Sequence, residues 1–351
     1  MAQNAEEVGP HRLTRRRPSG DCCKKPKERD DMADLIVSTL TQGLIFALLS
    51  YGVYITYSVL DFPDLTVDSS FPLGAAVTAI LLLQGVNPWV TLLCAAGAGA
   101  IAGLCTGLIH VKLKVRDLLA GIITMTALSS INLVLAGSNV TVERAVDTIF
   151  TSPLTMALFG DLSLTARKLI LSLVLAVVVK LILDLYFRTK SGLLLRATGD
   201  NGTLVTTLAQ NKGNMKILGV VISNALVALC GGGGLPGAAE LLRRHGASGQ
   251  VVFGLATVII GISLIRFFTR SKAAQGLGKG SPVLRFPGPA PKGTMAVLLG
   301  SVIYKFCVQI AISAGLPANM LKFITAALFL VVLVIAGRKG GGDHPCLSCR
   351  T

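Results

Sequence analysis

KLILSLVLAVVVKLILDLYF (168–187) runs directly into RTKSGLLLRATGDNGTLVTTLAQNKGNMK (188–216). At about 1.5 Å per residue the first segment is a helix of ~30 Å, the depth of a bilayer's hydrocarbon core. It is continuously apolar and lacks the period-two alternation of a membrane barrel strand, so it reads as a spanning helix. The second segment is polar. It carries Arg188, Lys190, Arg196, Lys212 and Lys216 against Asp200 alone, which places it on the cytoplasmic side by the excess of cations in cytoplasmic loops. A membrane protein with no cytoplasmic task has little need of such an element; one driven by a separate cytoplasmic motor needs one.

The same apolar pattern extends in both directions. Blocks recur at 34–58, 71–85, 89–109, 118–137, 217–230, 251–265, 295–314 and 321–336. The 351 residues are 52% hydrophobic and 15% charged, against about 25% charged in soluble domains. The expected fold class is therefore all-α: a polytopic membrane protein of about eight to ten transmembrane helices, with lipid around it. The net charge of +15 is no nucleic-acid signal, because 19 of the 33 Lys and Arg residues fall in 1–31, 231–250, 262–293 and 337–351. Residues 1–31 read as a disordered basic extension, with Met32 as the expected natural start and the first span as an uncleaved signal anchor. Residues 32–336 form the membrane domain, and 337–351 a disordered tail. The stretches 231–250, 262–293 and 337–351 are rich in Gly, Pro, Arg and Cys, a composition that fits local frame errors in a GC-rich gene.

The loop charges conflict with a simple count of crossings. DFPDLTVDSS (61–70) has three acids and no base, and reads as extracytoplasmic. The block 71–85 would make only ~22 Å of helix. If every block crossed, VKLKVR (111–116) would lie outside, yet Lys112, Lys114 and Arg116 assign it to the inside. A broken or re-entrant helix near 71–109 reconciles them. Within 89–109, Gly97, Ala98, Gly99, Gly103 and Gly107 are small residues suited to close helix packing. Residues 138–167 leave the membrane on the outer side. Lys180 and Asp184 are spaced i,i+4, so they can pair, with Lys180 snorkelling to the cytoplasmic surface. In the polar segment, Thr198 to Gly202 reads as a turn or cap cluster. Thr203–Gln210 reads as a short helix presenting Leu204, Val205, Leu208 and Ala209 to a partner.

Nothing in the sequence points to catalysis by this chain. The nearest imitation of a phosphate-binding glycine loop, QGLGKGS (275–281), has Gly280 after the lysine and lacks the correctly spaced first Gly. Of the eight cysteines, Cys94, Cys105, Cys230 and Cys307 lie in apolar blocks, where cysteine is usually a small packed residue. The tail motif His344-Pro-Cys346-Leu-Ser-Cys349 is half a zinc site without a second pair, so no metal is expected. Asp184 and Lys305 are the only deep charges in the spans. A stand-alone secondary transporter or channel, the alternative reading, usually places acids or His there to couple ions.

SGLLLRATGDNGTLVTTLAQNKGNMKILGVVISNALVAL resembles the cytoplasmic loop and following helix of permease subunits of bacterial ABC importers, of the branched-chain amino acid/ribose type. Gly192, Arg196, Ala197, Gly199, Asp200, Asn201, Leu208 and Ala209 match, and the resemblance continues over 33–137, 251–261 and 298–332. It is similar in particular to the amino-acid subgroup, sometimes associated with aromatic amino acids. The resemblance implies an inner-membrane permease, usually a homodimer, with an extracytoplasmic binding protein and a cytoplasmic ATPase that holds ATP and Mg. It implies a coupling loop at 188–216, with Leu204 beside the matching residues. It also implies a translocation path near Asp64, Leu65, Thr66, Gly74, Ser223 and Asn224.

Overall fold

The computed structural model describes residues 28–136, 163–200, 211–233, 249–270 and 289–313, with isolated residues in 150–157, 205–206 and 323–334. The expected tail 337–351, the span 321–336, most of the loop helix 203–210, most of 138–162 and the bulk of 1–31 and 231–250 lie outside the described residues or are barely represented in them. The described elements are all helical. They are α1 (Glu28–Val53), a π-helical continuation (Tyr54–Val59), α2 (Val67–Leu83), α3 (Pro88–Lys112) and α4 (Asp117–Ala136). Then come α5 (Leu164–Tyr186), α6 (Lys190–Asp200), α7 (Lys212–Gly233), α8 (Gln250–Arg270) and α9 (Pro289–Ser313). Among the described residues, six helices are long and apolar enough to cross a membrane, and Val67–Leu83 and Gln250–Ile265 are shorter apolar helices. The chain is a multi-pass membrane protein. Helix α1 starts at Glu28, inside the stretch expected to be disordered, and α8 runs to Arg270, inside the atypical 262–293.

Local chemistry sets the helix ends. Asn87 caps α3 by accepting from Trp89 N at 3.1 Å, and Pro88 occupies the first turn, where its missing N–H costs nothing. Ser163 caps α5 through Ala166 N at 3.3 Å. Helix α2 stops at Gln84 and Gly85, the latter at φ 76°.

Helices α1 and α7 form the centre. Helix α7 packs on α3, α2 and α1, while α1 also packs on α9, α5 and α8. The α3–α7 seam is close because Gly99, Gly103 and Gly107 face Asn224, Val220 and Ile217, whereas a Cβ on Gly97 would meet nothing within 4 Å. The small-residue stripe expected from the sequence is therefore a packing seam on three of its four glycines.

The path of the chain corrects the expected topology. Cys230 lies beside the Ile45 carbonyl, Ser223 beside that of Gly52, and Gly219 beside Leu60. Helix α1 thus runs antiparallel to α7 and ends where α7 begins. Its end also meets α6, since Leu195 is packed near Gly219. Residues 61–70 follow directly, so they are not an outer loop. They turn back into the bundle, and Asp64, Thr66, Ser69 and Ser70 are buried. Lys216 at the start of α7 lies 3.6 Å from Asp117 and 3.3 Å from His110, so VKLKVR and 188–216 share one end. The charge conflict disappears: all these cations sit at the end that the positive-inside rule assigns to the cytoplasm. The irregular element is the π-helical turn, the extended 60–66 and the short α2, while α3 is unbroken over 25 residues.

Candidate functional site

The break begins with a change of winding. Thr56 donates back to the carbonyls of Val53 (3.2 Å) and Gly52 (3.4 Å). Leu60 N reaches Ile55 O at 3.0 Å, the i→i−5 pattern of a π-helix. Such segments are common at functional sites. Asp61 then takes φ 51°, a left-handed conformation that Asp tolerates better than most residues, and the chain reverses.

The reversal carries DLTVDSS into the middle of the bundle. One Asp64 carboxyl oxygen accepts from Asn224 Nδ2 at 2.7 Å and the other from Thr66 N at 2.9 Å. Ser70 Oγ donates to Asn224 Oδ1 at 2.6 Å. Thr66 and Thr106 hydroxyls are 2.9 Å apart. Ser69 donates to the Met125 carbonyl at 2.8 Å, and Asn132 donates to the Ser69 carbonyl at 2.9 Å. Seven buried side chains of one short segment and its neighbours thereby join α2, α3, α4 and α7. Hydrogen bonds that satisfy a buried carboxyl are worth ~1.5–3 kcal/mol each. Asp68, one turn on, accepts from Gly249 N at 3.2 Å and Val251 N at 2.8 Å, capping the first turn of α8 from another helix.

Of the expected path residues, Asp64, Thr66 and Asn224 are thus brought together, while Ser223 donates to the Gly52 carbonyl of α1. Asp64, Thr66, Ser223 and Asn224 are buried, and Leu65 backs onto Gly121. Gly74 is pressed to the Ala228 carbonyl, where a Cβ would overlap it. Asp64 is a deep charge that a reading of 61–70 as an outer loop does not count.

At the basic end, Thr198, Gly199 and Asp200 of the expected turn or cap cluster are helical, Asp200 being the last residue of α6, and the remainder of the cluster lies outside the described residues. Gly192, Arg196, Ala197, Gly199 and Asp200 all lie on α6, with Thr198 donating to Leu194 O at 2.7 Å. Gly192 and Gly199 are seven residues apart on one face. A Cβ at the first would strike the Tyr186 carbonyl, and at the second the Val59 carbonyl. They allow close approach and do not mark turns. Leu195 is fully buried between them, and the Arg196 guanidinium stacks 4.8 Å over Phe187. The opposite face points outward, with Leu193 58% exposed and Asp200 exposed. Asn201, Leu204, Leu208 and Ala209 lie outside the described residues; Val205, at 0% exposure, is buried. Leu193 was missed in the sequence, where it is one of three consecutive leucines.

A second cluster ties the break to this end. His110 donates through Nδ1 to the Val115 carbonyl at 2.8 Å, near Asp117 at 3.1 Å, and its ring meets Phe62 edge-on at 5.3 Å. Lys216 donates to its Nε2. The Lys180–Asp184 pair also forms, at 2.6 Å, but Lys180 is buried and does not snorkel. Asp184 accepts from Thr294 of α9 at 2.6 Å as well, so the pair joins two helices. Lys305 lies over the Phe46 ring at 3.6 Å and beside Phe253 at 5.1 Å.

Comparison with known proteins agrees with this architecture. The family model described as "Branched-chain amino acid transport system / permease component" matches residues 35–333. A tyrosine transport system permease protein of Clostridioides difficile is 36% identical over 301 residues, 85% of this chain and 90% of that one. An uncharacterized protein of Rickettsia prowazekii is 28% identical over 308 residues, 87% of this chain and 99% of that one. A Methanocaldococcus jannaschii protein named "Probable branched-chain amino acid transport permease protein LivH" is 30% identical over 194 residues, 54% of this chain and 61% of that one. No solved structure matches at a significant level. A bundle with a reversed, acid-bearing half-helix and a helix laid against its basic end is thus the form taken here by a transport permease, and the chain belongs to the branched-chain amino acid transport permease family.

Proposed function

We propose that this chain is the membrane-spanning subunit of an ATP-driven importer in a bacterial inner membrane. Two copies form the translocation path as a homodimer. An extracytoplasmic binding protein delivers a small solute, and a separate cytoplasmic ATPase holds ATP and Mg. The chain itself carries out no catalytic step and binds no cofactor. The names of the relatives favour an amino acid as the solute, tyrosine or a branched-chain amino acid first.

The observation that supports this reading most is the seating of α6. Its inner face is fixed to the end of the broken α1 through Gly199 on Val59, and to the start of α7 through Leu195 beside Gly219, while Leu193 and Asp200 face outward. A motor that pushes on the outer face would move Val59 and Leu60, and with them the segment that leads to Asp64 and Asn224. Asp64, Leu65, Thr66, Gly74, Ser223 and Asn224 are then the part of the path that responds.

Co-purification tests it. The permease is expressed with its candidate partner ATPase, and Leu193→Glu and Asp200→Arg are compared with the wild type. Loss of ATPase from the double variant, with the permease yield unchanged, is the expected result; undiminished assembly would remove α6 as the docking element. The deep carboxyl of Asp64 gives some support to a second reading, a secondary transporter coupled to an ion gradient. That reading requires uptake by the permease alone, driven by the gradient and indifferent to ATP.

A further inference from the structure

Lys305 lies on α9, eight residues before Ser313, or about 12 Å along the axis. Its span has a mean hydropathy of 1.9. The ammonium rests among aromatic rings: Nζ is 3.6 Å from the Phe46 centroid and 5.1 Å from that of Phe253. These rings belong to a continuous wall. Phe253 meets Phe46 at 5.0 Å and Tyr304 at 4.9 Å, both edge-on, and Phe46 stacks on Phe71 at 5.9 Å. Gly43 leaves room beside the Lys305 Cβ, 3.7 Å away from where its own would stand.

No carboxylate of the described residues lies within ion-pair distance of Lys305. Asp184 is taken by Lys180 and Thr294, and Asp64 by Asn224 and Thr66. The apolar stretch 321–336 contains no acid. Contact with two rings returns less than an ammonium loses on leaving water. Among the described residues, Lys305 is thus a partly buried cation with aromatic walls and no anion beside it. The two shortened helices border this place, α2 with Phe71 and α8 with Phe253, and they are joined to each other at Asp68.

We infer that Lys305, Phe46 and Phe253 form a binding subsite for an aromatic carboxylate, with the ammonium taking the carboxylate and the rings taking the aromatic group. The inference rests on the transport reading above and adds a ligand class and a location to it. A purely structural Lys305 would be served as well by an apolar side chain of similar length, and this gives the test.

The complete importer, with its ATPase and binding protein, is reconstituted in vesicles, and uptake of L-phenylalanine and L-tyrosine is compared for wild type, Lys305→Met and Lys305→Arg. At least a tenfold loss is expected in Lys305→Met, with ATPase co-purification unchanged, and retention of at least about a third of the rate in Lys305→Arg. Separately, the purified permease is heated with L-phenylalanine, phenylacetate or phenethylamine. The first two should raise the unfolding temperature of wild type and Lys305→Arg, but not of Lys305→Met; phenethylamine, which lacks the carboxylate, should raise none. Equal uptake by wild type and Lys305→Met, or equal responses to phenylacetate and phenethylamine in the wild type, would overturn the subsite. If Lys305→Met does not fold, the ligand contrast in the wild type decides alone. If the wild-type importer takes up neither amino acid, nor L-leucine, the transport reading fails, while the thermal measurement still decides the subsite.

Discussion

Asn224 is the side chain through which the break and α7 recognise each other. It donates to Asp64, donates again to the Val220 carbonyl at 3.0 Å, and accepts from Ser70. Asn224→Leu would leave a buried carboxyl short of a donor and a buried hydroxyl short of an acceptor. We expect a loss of ~1–3 kcal/mol in stability, seen as a lower unfolding temperature in detergent. Its neighbour Ser223 gives up a single bond to the Gly52 carbonyl. Ser223→Ala should cost about 0.6 kcal/mol, the average for such bonds between membrane helices. Equal effects at the two positions would mean that the network is not what holds the segment. At this scale the sequence was misleading for a physical reason. Three acids in ten residues look like a solvated loop, and the Asn on a helix 160 positions later, with Thr66 N, makes Asp64 tolerable inside. The partner of a buried polar group is a tertiary fact that local charge counting does not contain.

Glycine has two meanings at the scale of the element, and they are hard to tell apart in sequence. Gly103 faces the backbone of α7, and Gly97, two turns away on the same helix, faces open space. Gly103→Val should therefore lower the yield of folded permease severely, while Gly97→Val should leave yield and unfolding temperature unchanged; a parallel measurement of both checks the seam. In the sequence Gly199 reads as part of a turn or cap cluster, yet it lies on α6 together with Gly192. Both are contact positions, chosen by how near α6 must lie to Tyr186 and Val59. The same geometry gives Arg196 an inward task. Arg196→Ala should loosen α6 by removing the stack on Phe187, at ~0.5–1 kcal/mol for a partly exposed pair. Faster backbone hydrogen exchange across 190–200, with slower exchange elsewhere unaltered, is the expected signature.

At the scale of the whole molecule, the described basic residues of 111–116 and 188–216 share one end, and this can be checked without further structure. In a cysteine-free background, Lys114→Cys and Arg188→Cys, both at exposed positions, should react with a membrane-impermeant maleimide only when the cytoplasmic face is open to it. Opposite labelling of the two would restore the outer placement of 61–70 and refute the reversed α2. Much of the architecture was legible from the apolar blocks, because helix length and membrane depth leave few choices. The sense in which the first helices run was not, since it turns on one half-crossing whose signal is spread over Asp64, Asn224 and Asp68.

Asp68 has a consequence for the order of assembly. Its partners in the first turn of α8 lie 181 and 183 positions further along the chain, and Asn224 lies 160 beyond Asp64. At roughly 5–20 residues per second of synthesis, the segment 61–70 leaves the ribosome some 8–37 s before its distant hydrogen-bond donors exist. A half-helix carrying unpaired carboxyls cannot wait in hydrocarbon. It must stay near the membrane surface while α3 and α4 insert, and take its place only when α7 and α8 arrive. The reversed segment then settles only after α7 and α8 have been made, although it is among the first to be synthesised.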